Sequence, residues 1–200
     1  MCHTLLTDSR FFDFLFSIDQ QIAAEVHSGG CPHCSGVLHV SCYPRKPRGV
    51  RCPLSDALQM RFSFCCAEEN CRRRCTPPSV RFLGRKVYLS VIVILATAMH
   101  HGLTSKRRKQ LIEELDLWPQ TLGRWRTWWR EAFPTTRCWK TEQGHFIPPL
   151  DLWQLPGALL GQLLAPDLLG RLCLLLRLVA PVTTDSWSGS LRVVINPQKM

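Results

Sequence analysis

Residues 31–36 read Cys-Pro-His-Cys-Ser-Gly, and residues 62–71 read Phe-Ser-Phe-Cys-Cys-Ala-Glu-Glu-Asn-Cys. The first is a Cys-x-x-Cys knuckle followed by a small turn. The second sets further cysteines at the end of an alternating stretch. Two such hooks, each delivered by a β-turn, offer a tetrahedral Zn²⁺ four thiolates at about 2.3 Å. The expected ligands are Cys31, Cys34, Cys66 and Cys71, holding one structural zinc per chain. Phe62, Phe64 and Cys66 share one strand face, which favours Cys66. Cys65 with Cys71, and Cys71 with Cys75, are the alternatives, and His27, His33 or His39 stand close enough to replace a thiolate. A dithiol redox centre also uses Cys-Pro-His-Cys, but at the start of a helix in a βαβ setting. Here glycines precede the motif and a turn and strand follow it.

Outward from the cysteines, residues 37–42 (VLHVSC) and 59–65 (QMRFSFC) alternate as short strands do, with a basic loop at Tyr43–Pro53 between them. On the N-terminal side, Phe11, Phe12, Leu15, Ile18 and Ile22 fall at helical spacing, and Ser28-Gly29-Gly30 ends that helix. On the C-terminal side, Arg85–His101 reads as a buried helix. Its apolar run, residues 87–99, is shorter than the roughly 20 residues that span a bilayer. Thr104–Leu115 is a second helix capped by Thr104 or Ser105, and Pro119–Phe133 a third, with proline in the first turn. Pro134 and Pro148-Pro149 bound a linker, and Leu155–Leu164 and Asp167–Val179 are Leu-rich helices.

The expected fold class is α+β, mainly α: a small zinc-ribbon β module followed by a helix-turn-helix domain and Leu-rich C-terminal helices. The expected divisions are 1–30 (amphipathic helix), 31–80 (zinc ribbon), 81–135 (helix-turn-helix), 136–182 (Leu-rich segment) and 183–200 (tail).

Composition bounds the function. Hydrophobic residues make up 46%, enough for a packed core and against wholesale disorder. The net charge is +10, and its placement says more than its size. Residues 1–30 carry one Arg and four acids, residues 31–86 eleven Lys/Arg and three acids, and residues 87–137 eight and four. Positive charge therefore gathers mid-chain, as it does where one face tracks a phosphate backbone. No secretory signal precedes the cysteines, so they read as metal ligands in a cytoplasmic protein rather than as a disulfide framework.

The third helix divides cleanly. At about 100° per residue, Leu122, Trp125, Trp129 and Phe133 gather on one side, and Gln120, Gly123, Arg124, Thr127 and Glu131 on the other. A recognition helix needs this arrangement, with one face locked in the core and the other carrying polar groups into the major groove. Gln120, Thr121, Arg124 and Thr127 are the candidate base-contacting residues. Lys106, Arg107, Arg108 and Lys109, opening the preceding helix, are the candidates for phosphate.

Residues 112–125, Ile-Glu-Glu-Leu-Asp-Leu-Trp-Pro-Gln-Thr-Leu-Gly-Arg-Trp, resemble the helix-turn-helix of transposases and related bacterial regulators. In that pattern Leu115, Leu117, Thr121, Leu122, Arg124 and Trp125 are in register. Ile112, Asp116 and Trp118 depart from it, standing where Ala, Gly and a Ser or Thr cap are common. Asp116 is tolerable because Asp enters left-handed backbone more readily than most residues. Zinc ribbon followed by helix-turn-helix is similar to the N-terminal, DNA-reading part of insertion-sequence transposases and to small accessory proteins of such elements, over residues 31–133.

That resemblance implies duplex DNA as partner, a separate transposase or recombinase as source of the chemistry, and a nucleoid-associated location. A homo-oligomer through the Leu-rich helices is a further expectation. A transposase of the common kind needs three carboxylates holding two Mg²⁺ on an RNase-H-like sheet. The residues after Phe133 carry only Glu142, Asp151, Asp167 and Asp185 and read as helices, so no enzyme is expected. A transcription regulator unconnected with transposition, and a zinc-stapled RNA- or protein-binding module, stay open beside the mobile-element reading.

Overall fold

The computed structural model describes residues 6–50, 52–83, 88–100 and 104–184, with the backbone alone at His100 and Arg107. Helix α1 (Ser9–Ser28) starts where the Asp8 carboxylate caps it by accepting the Arg10 backbone N–H at 3.0 Å. It buries Phe11, Phe12, Leu15, Ile18, Asp19, Ile22 and Ala23 along one side. It ends at Gly29, and Gly30 follows at φ +75°, a backbone that side chains rarely adopt.

The β elements are short: β1 (Leu38–Val40), β2 (Tyr43–Pro44), β3 (Met60–Arg61), β4 (Phe64–Cys66) and β5 (Arg74–Cys75), with a single helical turn α2 (Asp56–Gln59) before β3. Three strands form one antiparallel sheet in the order β1-β4-β5, and β2 pairs with β3 in a second. The register sets Leu38 opposite Cys66 and Phe64 opposite Cys75. These residues join Ala23 and Cys31 in one buried cluster. The expected strand at 59–65 is thus two strands interrupted at Phe62-Ser63, and the expected basic loop begins with a strand.

The second half is helical: α3 (Ser90–His100), α4 (Ser105–Glu114), α5 (Pro119–Thr127), α6 (Arg137–Glu142), α7 (Gly157–Gln162) and α8 (Leu168–Val179). The first of these begins at Ser90, later than Arg85, while Tyr88 and Leu89 make isolated β-bridges. Residues 84–87, His101-Gly102 and the expected tail beyond 184 lie outside the described residues. Helix α5 does not run unbroken to Phe133. A π-helical turn (Trp128–Ala132) and a 3₁₀ turn (Phe133–Thr135) follow it, and Pro134 in the latter supplies no backbone donor.

The expected linker at 134–149 is also largely structured. Trp129, Phe133, Trp139 and Phe146 form a buried series with ring centroids 4.8, 5.3 and 5.7 Å apart, drawing α6 and the turn after it into the core. The C-terminal leucines pack on each other and on α3. Among the described residues no helix is long and apolar enough to cross a membrane.

The described chain divides into two compact units, residues 6–89 with the return at 180–184, and Ser90–Val179. The first holds both sheets and α1. Two arginines counted as surface charge from the sequence are buried within it: Arg61 and Arg81, at 3% and 1% exposure. Arg81 donates from Nε to Asp19 at 2.8 Å and to the carbonyls of Leu58 and Met60, and its guanidinium lies over the rings of Phe16, Phe62 and Phe82. The Asp19 carboxylate also accepts the Ser79 hydroxyl at 2.6 Å and the Val80 N–H at 2.8 Å.

One buried pair therefore ties α1, the α2–β3 junction and the segment 79–82 together. Removing one member leaves a buried charge unmatched, so Asp19→Ala should lower stability by about 3–5 kcal/mol. Removing the cap in Asp8→Ala should cost much less. Urea unfolding of both variants checks this; equal losses would mean that the buried pair contributes nothing special.

Candidate functional site

The backbone builds two hooks. In the first, Gly30 turns the chain out of α1 and straight into Cys31. The Cys31 N–H donates to the Gly36 carbonyl at 2.9 Å and the Ser35 N–H to the Cys31 carbonyl at 2.8 Å, with Ser35 left-handed at φ 59°. Gly36 has no room for a side chain, since a Cβ there would lie 2.4 Å from the Glu68 side chain. In the second, β4 ends at Cys66, the N–H groups of Cys71 and Arg72 both donate to the Glu68 carbonyl at 3.0 Å, and Arg72 is left-handed at φ 46°. Each hook thus reverses on a left-handed residue directly after its second cysteine.

The two hooks bring Cys31, Cys34, Cys66 and Cys71 together, all four sulfurs within 4.8 Å of one another. Cys31 Sγ is 3.7 Å from Cys71 Sγ, and Cys34 Sγ is 3.5 Å from Cys66 Sγ. A tetrahedron with metal–sulfur bonds of 2.3 Å has edges of about 3.8 Å, so the spacing fits one ion and is far too long for a disulfide. Four cysteines in this arrangement can hold a metal ion.

The donors around the sulfurs point the same way. Backbone N–H groups face three of them: His33 and Cys34 toward Cys31, Gly36 toward Cys34, and Glu68 toward Cys66. Such donors stabilise negative sulfur. The His33 N–H is the main reason the Cys31 thiol is held down at about 7, while burial pushes Cys66 up to about 12. A bound cation would favour the thiolate forms and release their protons.

The alternatives raised by the sequence fall elsewhere. Cys65 turns to the Arg72 carbonyl at 3.5 Å, and Cys75 is buried in the sheet. His27 is bonded through Nε2 to the Leu38 carbonyl at 2.8 Å and tilts over Phe64; His33 Nδ1 faces Arg73; His39 is exposed on β1.

In the second unit, α4 and α5 are joined by residues 115–118. The Leu117 N–H reaches back to the Ile112 carbonyl at 2.9 Å and the Asp116 N–H to that of Glu113 at 3.3 Å, closing α4 around Asp116 at φ 49°. Asp116 takes the left-handed place that glycine would fill more easily. Pro119 occupies the first turn of α5, after Trp118 in extended backbone. Leu122, Trp125, Trp129 and Phe133 are buried, whereas Gln120, Gly123, Arg124 and Thr127 are exposed and Thr121 is half-buried. Lys106, Arg108 and Lys109 are exposed on α4, Lys109 lying 3.9 Å from Glu113; the Arg107 side chain lies outside the described residues.

Two exposed aromatics were not singled out as functional candidates from the sequence. Trp118 is 69% exposed ahead of α5, and Trp153 is 68% exposed with the Arg130 guanidinium 4.5 Å over its ring. No known family, curated protein or solved structure matches the chain.

Metal loading should reach one ion per chain by elemental analysis and should depend on the four thiols. Cys34→Ser should lose the metal and the fold of the first unit while much of the helical signal of the second persists in circular dichroism. Because bound metal needs thiolates and free sulfurs hold protons, affinity should fall as pH drops from about 8 to 6, with protons released on loading. A pH-independent affinity would speak against thiolate ligation.

Proposed function

We propose that this chain is a non-catalytic, sequence-specific duplex-DNA-binding protein associated with a mobile element, stapled by one structural Zn²⁺ at Cys31, Cys34, Cys66 and Cys71. An all-sulfur tetrahedral donor set suits Zn²⁺ and leaves no open position, as in structural rather than catalytic sites. Bound there, zinc supplies folding energy to a module with little core.

One observation carries the DNA reading: α5 buries its Leu and Trp face and leaves Gln120, Arg124 and Thr127 outward, straight after a turn closed by a left-handed residue. That is the division of labour of a recognition helix behind a helix-turn-helix turn. Gln120 suits adenine and Arg124 guanine, each by two hydrogen bonds worth about 1–3 kcal/mol of discrimination. Lys106, Arg107, Arg108 and Lys109 would contact phosphates, which position the protein without reading sequence. Strand cleavage and joining would come from a separate transposase or recombinase, and the working location would be the cytoplasm, on the nucleoid.

A second reading draws on Trp118 and Trp153. Exposed indoles, Trp153 with the Arg130 guanidinium over its ring, suit stacking on unpaired bases, as in single-strand or RNA binding.

Selection from a random duplex pool, followed by gel shifts with duplex, single-stranded DNA and RNA, separates the two. The expected result is a defined duplex site. Arg124→Ala should relax its sequence preference, and Lys106→Ala should weaken all duplexes alike. Preferential binding of single strands would transfer the assignment to the second reading, and identical behaviour of the two variants would remove α5 from the groove.

A further inference from the structure

The run Arg72-Arg73-Arg74 stands between two fixed points: Cys71 in the sulfur cluster, and Cys75, buried in the sheet at 2% exposure. Its backbone is tied down on the inner side. The Arg72 carbonyl accepts the Cys65 thiol and the Arg73 carbonyl the Cys66 N–H at 3.0 Å, while all three side chains are exposed. Arg73 reaches across to His33 Nδ1 at 3.2 Å, linking the two hooks. Arg74 donates to the hydroxyls of Ser41 and Ser63 and lies over the Tyr43 ring, where the chain enters the stretch carrying exposed Lys46 and Arg48. Among the described residues none of the three arginines forms an ion pair with a carboxylate, although Glu68 and Glu69 sit on the same loop. Exposed guanidiniums without a carboxylate partner, carried on a tied-down backbone, are matched to an extended anion, and their planar forks fit phosphate oxygens.

We propose that Arg72 and Arg73, on the rim of the metal centre, make a second, sequence-independent contact to the phosphates of duplex DNA, held in shape by the cysteine ligand that precedes them. This rests on the DNA-binding reading above and adds to it a contact in the sulfur-bearing unit, whereas the residues assigned to DNA so far all belong to the other. Two other roles give different results. Four thiolates around a divalent cation carry excess negative charge that nearby arginines would offset, and arginines on an edge strand discourage strand pairing.

The test is fluorescence anisotropy of the full, Zn²⁺-loaded chain with an unselected duplex over a series of salt concentrations. R72A/R73A should keep its metal content and lower the slope of log affinity against log salt by about 1.8, roughly 0.9 for each phosphate released. Arg72→Ala alone, whose side chain makes no hydrogen bond or ion pair among the described residues, should lower the slope by about 0.9 with the module intact. Unchanged slopes in both variants overturn the proposal, as does loss of metal affinity with the slope retained, which would make the arginines counter-charges to the thiolates. A wild-type chain that binds no duplex overturns the DNA reading itself, and this contact with it.

Discussion

Convergence of four sulfurs within 4.8 Å is the constraint on which the first unit depends. Its sheets are built from strands of two or three residues, too short to hold together by ladder hydrogen bonds alone. The sulfur cluster joins the end of α1 to the loop that runs from the end of β4 to the Arg72–Arg74 run, two places distant in sequence. The left-handed residues Ser35 and Arg72 have their explanation there, since each hook must reverse sharply to present its second sulfur.

A second cross-link, of another kind, supports the same unit. The Asp19–Arg81 pair is expensive to bury. It persists because every part of it has a partner: a hydroxyl and an N–H on the carboxylate, backbone carbonyls and three aromatic faces on the guanidinium. Such a network adds less net stability than an apolar core of equal volume, but it tolerates no rearrangement. With Arg61 it also removes two cations from the surface, so the positive charge available to a partner is narrower than the formal +10 suggests.

The second unit is organised by its aromatic residues. Leu122 and Trp125 bury one side of α5, and Trp129, Phe133, Trp139 and Phe146 continue that packing through the turns beyond it and α6, while Gln120, Gly123, Arg124 and Thr127 stay exposed. Outward placement of Gln120, Arg124 and Thr127 follows from that restraint and from the turn closed at Asp116.

Much of this was legible from the chain alone. The spacing of Cys31 with Cys34 and of Cys66 with Cys71, the apolar face of α1, and the division of α5 are local patterns. Periodicity and turn chemistry report them directly, because the residues involved lie within a few turns or one β-turn of each other. Asp116 as a left-handed residue belongs here too. Alternation already favoured Cys66 over Cys65, because Phe62, Phe64 and Cys66 share one face; that its sulfur meets those of Cys31 and Cys34 needed tertiary structure, since Cys34 and Cys66 stand 32 residues apart. The burial of Arg61 and Arg81 was equally invisible: an arginine reads as surface until a carboxylate from another element meets it, and Asp19 lies far away in sequence. The 134–149 stretch looked like linker because its prolines punctuate it, whereas Trp139 and Phe146 bring it inside by packing on rings that only the folded chain sets beside them.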